Sequence, residues 1–340
     1  MKTTRTLFTR TVLAACFALP FFGLSAAHAQ TAQNPIIIKF SHVVAPNTPK
    51  GRGSDKFKEL AERYTEGRVK VEVYPNSTLY KDNEEMNALQ LGAVQMLAPS
   101  LAKFGPLGVR DFEVFDLPFI FHNKDDLRKI TDGPLGKTLF DKLGPTGVKG
   151  LAYWDNGFKI ITANTPLHTP DDMLGLKMRI QSSKVLESLM TALDAVPQVM
   201  AFSESYQALQ TGVVDGTENT PSNIYSQKMH EVQKHGTLTW HSYIGYALIT
   251  NAKFWNELPA DIRTQLERAV KDATDFTNTI SQEENDQALA AMRAAGTTTF
   301  YEPTDAERKQ WIDRLQPVHK EMAPRIGQET LNAAYRALGR

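Results

Sequence analysis

The residues with the clearest chemical intent lie between Gly175 and Ser183, "GLKMRIQSS". Leu176, Met178 and Ile180 alternate there with Lys177, Arg179 and Gln181, the period of a half-buried strand. Ser182 and Ser183 then open a helical pattern, "SSKVLESLM". An arginine on the polar face of a strand is ordinarily a solvated residue. Here three features point to an anion instead. Open α/β sheets collect ligands at the carboxyl ends of their strands, where Arg179 sits. The hydroxyls and free N–H groups of a helix start attract negative charge. A neighbouring candidate strand, "VDGTEN", ends on Asn219, an amide able to complete a carboxylate clamp. A planar guanidinium suits a carboxylate because two parallel N–H groups match two oxygens.

Catalytic motifs nearly form and then fail. "GPLGKT" (133–138) has Thr131 where the first glycine of a phosphate loop belongs, and reads as a turn followed by a helix. "HEVQKH" (230–235) has one residue too many for zinc-protease spacing, so its histidines do not share a helix face. "GRGS" (51–54) is half of a dinucleotide fingerprint and reads as a loop. No serine sits in a nucleophile-elbow pattern. No enzyme is legible, and neither a metal site nor a cofactor is expected.

Compartment limits the chemistry further. The start "MKTTRTLFTRTVLAACFALPFFGLSAAHAQ" has basic residues, an apolar run and the small-x-small Ala27-His28-Ala29. This is an export signal over residues 1–29, cleaved after Ala29, and it places the chain in the periplasm. A lipoprotein reading at Cys16 ("LAAC") leaves too few apolar residues after Arg10. Cleavage removes Lys2, Arg5, Arg10 and the only cysteine, taking the basic side chains from 38 to 35 against 38 acidic, a net charge near −3. That excludes disulfides, thiolate nucleophiles and cysteine metal sites. With no basic block, no nucleic-acid partner is expected. No later segment is apolar enough to span a bilayer, and by length the remainder forms two lobes.

The elements that must hold Arg179 and Asn219 read as α/β. "PIIIKFSHVV" is a buried strand, "SDKFKELAERY" a helix capped by Ser54, and "VKVEVYP" a strand. "DNEEMNALQLGA" is a helix with a capping-box-like Asp82 and Glu85, and "VQMLAPS" a further strand. This alternation implies a parallel sheet with helices on both faces. A second, similar series begins near "GLAYWDNGFKIITAN" and runs through "LKMRI" to a helix capped by Ser203. From Pro259 to Ala295 the sequence is helical with almost no breakers, about 50 Å at 1.5 Å per residue, long enough to brace two lobes.

"GLKMRIQSSKVLESLMTALDAVPQVMAFSESYQALQTGVVDGTEN" closely resembles the signature of the periplasmic substrate-binding subunits of TRAP transporters. "YPNSTLYKDNEEMNALQLGAVQMLAPS", "FEVFDLPFIF", "WDNGFK" and "NAKFWNELPADIR" extend the resemblance over essentially the whole exported chain. Within that family it is most similar to the binding proteins for four-carbon dicarboxylates (succinate, malate, fumarate). The resemblance implies an α/β, two-lobed periplasmic binding protein fold with hinge strands and a long lobe-spanning helix. Lobe I is then 30–156 with 245–284, and lobe II 157–244 with 285–340. It also implies a monomer that closes on one ligand and delivers it to small and large integral membrane subunits.

Arg179 falls on the family's carboxylate-pairing arginine, and Asn219 on the asparagine that helps hold the same group. Lys159, in "NGFK", falls where many relatives carry a second basic residue, often arginine. Candidates for the second carboxylate are Lys50, Ser100 and His42, each at or just after a strand end. Trp154, Tyr243 and Tyr246 are candidates for the pocket wall, although such aromatics are also ordinary core. Glu218 would repel an anion unless paired. A binding protein for another organic acid, a sensor-coupled receptor and a periplasmic enzyme acting on a carboxylate stay open as alternatives.

Overall fold

The computed structural model describes residues 34–340, so the export signal and Cys16 lie outside the described residues. The chain runs β1 (Ile36–Ser41), α1 (Pro49–Tyr64), β2 (Val69–Tyr74), α2 (Glu85–Gln90), β3 (Met96–Leu97), α3 (Lys124–Thr131), α4 (Pro134–Asp141) and β4 (Val148–Phe158). It continues with β5 (Ile160–Ala163), β6 (Lys177–Ile180), α5 (Lys184–Ala192), β7 (Val196–Val199), α6 (Ser205–Gln210), β8 (Gly216–Asn219), α7 (Pro221–Ser226) and β9 (His235–Thr237). The last part is β10 (Tyr243–Asn251), α8 (Ala252–Glu257), α9 (Ala260–Ala295), β11 (Thr299–Tyr301), α10 (Asp305–Leu315), α11 (Pro317–Ile326) and α12 (Gln328–Leu338).

Two sheets form, one per lobe: β2-β1-β3-β10-β4 and β11-β9-β5-β8-β6-β7. They are not wholly parallel. β10 runs against β3 and β4, and β5 runs against β8 and β9. The reversed strands adjoin the crossings between lobes. The chain leaves the first sheet at Phe158 and enters the second at Ile160, then returns between Thr237 and Tyr243. At the crossing, Lys159 N–H donates to the Ser242 carbonyl at 2.8 Å.

The unbroken helical pattern becomes α9, 36 residues or about 54 Å, ended by Gly296 in the left-handed region at φ 67°. Its buried stripe is apolar early (Ile262, Leu266, Ala269, Ala273) and polar later (Thr277, Ser281, Asn285). The early part packs on α1 and β4, and the helix then reaches α7 of the second lobe. There Asn285 donates to the Asn156 carbonyl at 2.9 Å and accepts from Ser222 N–H at 3.0 Å. Helix α12 packs on α3 and α4, so the C-terminal helices touch both lobes.

Local readings shift where a distant contact wins. α1 begins at Pro49 with Thr48 as its cap, so "GRGS" is helix rather than loop, and Ser54 lies inside it, donating to the Lys50 carbonyl at 2.9 Å. The glycines permit close approach: a Cβ on Gly53 would lie 2.2 Å from the Thr277 hydroxyl of α9. Asp82 does not cap α2, which starts at Glu85 behind Glu84. Ser203 lies in a 3-10 turn (Phe202–Glu204) ahead of α6 and makes no cap hydrogen bond there.

Candidate functional site

A narrow cleft lies between the lobes. The second lobe supplies Arg179 and Gln181 from β6 and the residue after it, Glu218 and Asn219 from the end of β8, Asn223 from α7, and Phe202. The first supplies Lys50 from α1, Asp82 and Glu85 around the start of α2, Ser100 and Lys103 after β3, and Tyr246 from β10. β6 and β8 are parallel neighbours with Arg179 opposite Thr217, which brings Arg179 and Asn219 to one edge.

The Arg179 face of β6 is not solvated; the residue is 2% exposed. Its Nε and Nη2 donate to the Met200 carbonyl at 3.2 and 2.8 Å, and Phe202 lies beneath the guanidinium at 5.7 Å. Of five guanidinium N–H groups, three remain for the cleft. Burial pulls the Arg179 pKa down, while Asp82, Glu218 and Glu204 oppose it. Asn219 is oriented by its neighbours: its side-chain oxygen accepts from Thr220 N–H and Asn223 Nδ2, both at 2.9 Å, which turns the amide NH₂ outward.

Lys50 stands opposite. It is fully buried, donates to the Ala98 carbonyl at 2.9 Å, and sits 3.9 Å above the Tyr246 ring. Burial lowers its pKa to about 8, with Glu85 and Asp82 pulling upward. The Tyr246 hydroxyl accepts from Asn156 Nδ2 at 2.7 Å, and burial pushes it up to about 12. Ser100 is held by its pairing with Tyr246 and donates across the cleft to Gln181 Oε1 at 2.6 Å. Asp82 accepts from Phe202 N–H of the other lobe at 3.2 Å, and Lys81 pairs with Glu204 at 2.8 Å. These three cross-lobe contacts hold the cleft closed.

Four of the expected residues stand elsewhere. Lys159 lies behind the cleft lining in an ion pair with Glu218, and His241 approaches the same carboxylate at 3.4 Å. Burial would raise the Glu218 pKa, but Lys159 and His241 outweigh it and hold it below the usual range. The pairing explains how an acid can line an anion site. Trp154 packs on Phe40 and donates to the Thr274 hydroxyl at 2.8 Å. Tyr243 is core between Phe121 and Phe158. His42 is buried edge-on to Phe40, with its pKa lowered to about 3, first by burial and then by Lys50.

The helix start after Arg179 is also spoken for. Ser183 caps α5 and donates to Asp116 Oδ2 at 2.7 Å, so an internal carboxylate takes that place. Burial raises Asp116 to about 7 against the pull of Lys159.

Residues that sequence reasoning missed are Asp82 and Lys103, a buried ion pair at 2.8 Å, together with Glu85, Gln181, Phe202 and Asn223. Burial would raise the Asp82 pKa, but Lys103 beside it holds it down. Gln181 was within reach, two residues beyond Arg179 and on the same strand face. A larger groove between α3, α4 and α9 carries Arg128 and Lys124, but both cations are committed to Asp155. Among the described residues no group of three or more His, Cys, Asp or Glu is placed to hold a metal, and no helix is long and apolar enough to cross a membrane.

Two lobes joined by crossing strands, braced by one long helix and closed over buried cations define a solute-binding fold. The chain belongs to the family described as bacterial extracellular solute-binding protein, family 7 (DctP), which matches residues 40–325. It is 64% identical over 327 residues to the C4-dicarboxylate-binding periplasmic protein of Rhodobacter capsulatus, covering 96% of this chain and 98% of the relative. Its fold is similar to that of a TRAP periplasmic solute binding protein from Shewanella oneidensis with bound succinate. The TM-score is 0.87 at 41% identity, covering 89% of this chain and 99% of that one. A counterpart from Pseudomonas aeruginosa with bound L-malate gives 0.82 at 42%, covering 84% and 100%.

Proposed function

We propose that this protein captures a four-carbon dicarboxylate in the periplasm and delivers it to the small and large membrane subunits of a TRAP transporter. The observation that carries this reading is the pairing of Arg179 and Lys50, two buried cations contributed by opposite lobes to one closed cleft. One ligand carboxylate lies against Arg179 and the amide of Asn219. The other reaches Lys50 in the first lobe. A dianion that touches both lobes binds the closed form better than the open one, and that difference drives closure. Closure removes solvent from both ends, so each ion pair counts for more than a surface pair. The succinate and malate bound by similar structures support the ligand class.

Arg179, Asn219, Lys50, Ser100 and Tyr246 are the binding residues in this reading, and Lys159 acts by neutralising Glu218. The cleft's polar groups serve binding rather than turnover. A monomer suffices, since the cleft as read here is complete within one chain. Calorimetric titration with succinate, malate, fumarate and matched monocarboxylates tests the proposal. One-site micromolar binding, about −8 kcal/mol, confined to the dicarboxylates is the expected result. Equal binding of monocarboxylates refutes the two-ended clamp, and appearance of a product from any ligand refutes the non-enzymatic reading.

A further inference from the structure

Glu85 is the one acidic side chain of the cleft whose role the clamp leaves unexplained. It stands at the start of α2, is 1% exposed, and lines the cleft. Among the described residues it makes no ion pair and no side-chain hydrogen bond, whereas Asp82 is spent on Lys103 and Glu218 on Lys159. With those pairs cancelled, Arg179, Lys50 and Glu85 set the charge of the cleft. Two cations and one carboxylate match a monoanion. The same cations with a neutral Glu85 match a dianion.

Resting on the dicarboxylate reading, we propose that Glu85 is a ligand-binding residue that carries a proton in the complex and donates it to the ligand's second carboxylate, beside Lys50. The proton comes from solvent and is shared between a Glu85 oxygen and the ligand oxygen. Uptake forms the O–H bond of the Glu85 carboxyl at the expense of a solvent or buffer acid, and no other covalent bond changes. Lys50 on α1, Asp82 before α2, Lys103 in the turn Leu101–Phe104 and Tyr246 on β10 are the charged and titratable groups that surround Glu85. Burial is the largest influence on it and raises its pKa to about 7, with Asp82 adding to the rise and Lys50 and Lys103 opposing it. A ligand carboxylate placed beside it adds a further negative charge and so favours the protonated form. The arrangement also selects: a ligand whose second end cannot accept a hydrogen bond leaves a buried donor unmatched.

The test is calorimetric titration of the protein with succinate between about pH 6 and about pH 7.5, on the acid side of the value of about 8 for Lys50. Two buffers of different ionisation enthalpy report the protons exchanged. The wild type is expected to take up a fraction of a proton per succinate, rising with pH, and to lose about 3- to 10-fold in affinity over that range. Glu85→Gln offers a donor at the same place with no proton to collect. It is expected to bind with less uptake than the wild type and an affinity that changes less with pH, the remainder coming from Lys50, whose pKa falls once the Glu85 charge is gone. Wild-type binding without uptake overturns the proposal with no variant needed, and leaves the dicarboxylate reading standing. Undiminished uptake in Glu85→Gln overturns it as well. Failure of the wild type to bind succinate at all refutes the dicarboxylate reading on which the proposal rests.

Discussion

Replacement of Arg179 by alanine separates the clamp from a merely basic cleft. The side chain makes two hydrogen bonds, both to the Met200 carbonyl, and has three N–H groups left to meet a ligand. Truncation therefore leaves one ligand carboxylate in a desolvated place with only neutral amide donors, Asn219 and Gln181, from the second lobe. Losing one partner of a buried charged pair costs about 2–5 kcal/mol. At 2% exposure solvent screens little, so the upper half of that range is expected, roughly 300- to 4,000-fold in Kd for succinate. Arg179→Lys keeps the charge but loses the fork and one of the Met200 contacts, and should fall between wild type and alanine. Calorimetry supplies the affinities, and thermal unfolding checks that the variants remain folded. A Kd within about threefold of wild type for Arg179→Ala would remove the residue from the site and with it the proposed orientation of the ligand.

The two ion pairs near the lobe interface should behave differently. Asp82→Asn strands Lys103 in a buried position and weakens the link to Phe202, and about 3–5 kcal/mol of stability loss is expected in urea titration; Lys81→Ala opens a solvent-exposed pair and should leave the urea midpoint nearly unchanged. Gly53→Ala sets a Cβ against the Thr277 hydroxyl and should destabilise by about 1–3 kcal/mol, seen as a lower melting temperature. His42 is held neutral, with its pKa lowered from 6.5 to about 3. The unfolded chain thus binds a proton that the folded chain refuses, so stability present above about pH 6.5 is lost as pH falls toward 3. Urea unfolding at a series of pH values should show a shallower acid slope for His42→Gln, and an unchanged slope would assign the acid sensitivity to other groups.

The place of Arg179 and Asn219 in the cleft was legible because the evidence for it is local. A strand end shows in six or seven residues of alternating polarity, and ligand sites follow strand ends in this class of sheet. Lys159 resisted the same logic. Its partner Glu218 is far away in sequence and meets it only because β5 and β8 pair antiparallel, with Ile160 opposite Asn219 and Ile161 opposite Glu218. Asp82 and Glu85 read as a helix cap, since an acidic residue three positions before another before an apolar run is the usual sign of one. The pull of Lys103 and Phe202 displaced that local preference. Trp154 and Tyr243 could wall either a pocket or a core, a choice that depends on which face of the β4–β10 pair is covered.

By itself the amino-acid sequence determined the export signal as an expectation, most elements, the single long helix and the sign of the charge the cleft would accept. These follow from periods of 2 and 3.6 residues, from caps and breakers, and from residue chemistry, all expressed over short stretches of chain. Only the tertiary structure decided which charges are free. Among the described residues Lys159 and Lys103 stand in ion pairs, Lys50 and Arg179 do not, and Glu85 lines the same cleft without an ion pair. Pairing depends on separations of a few ångströms between residues remote in sequence, and burial makes each such pairing decisive because little solvent remains to screen a charge left without a partner.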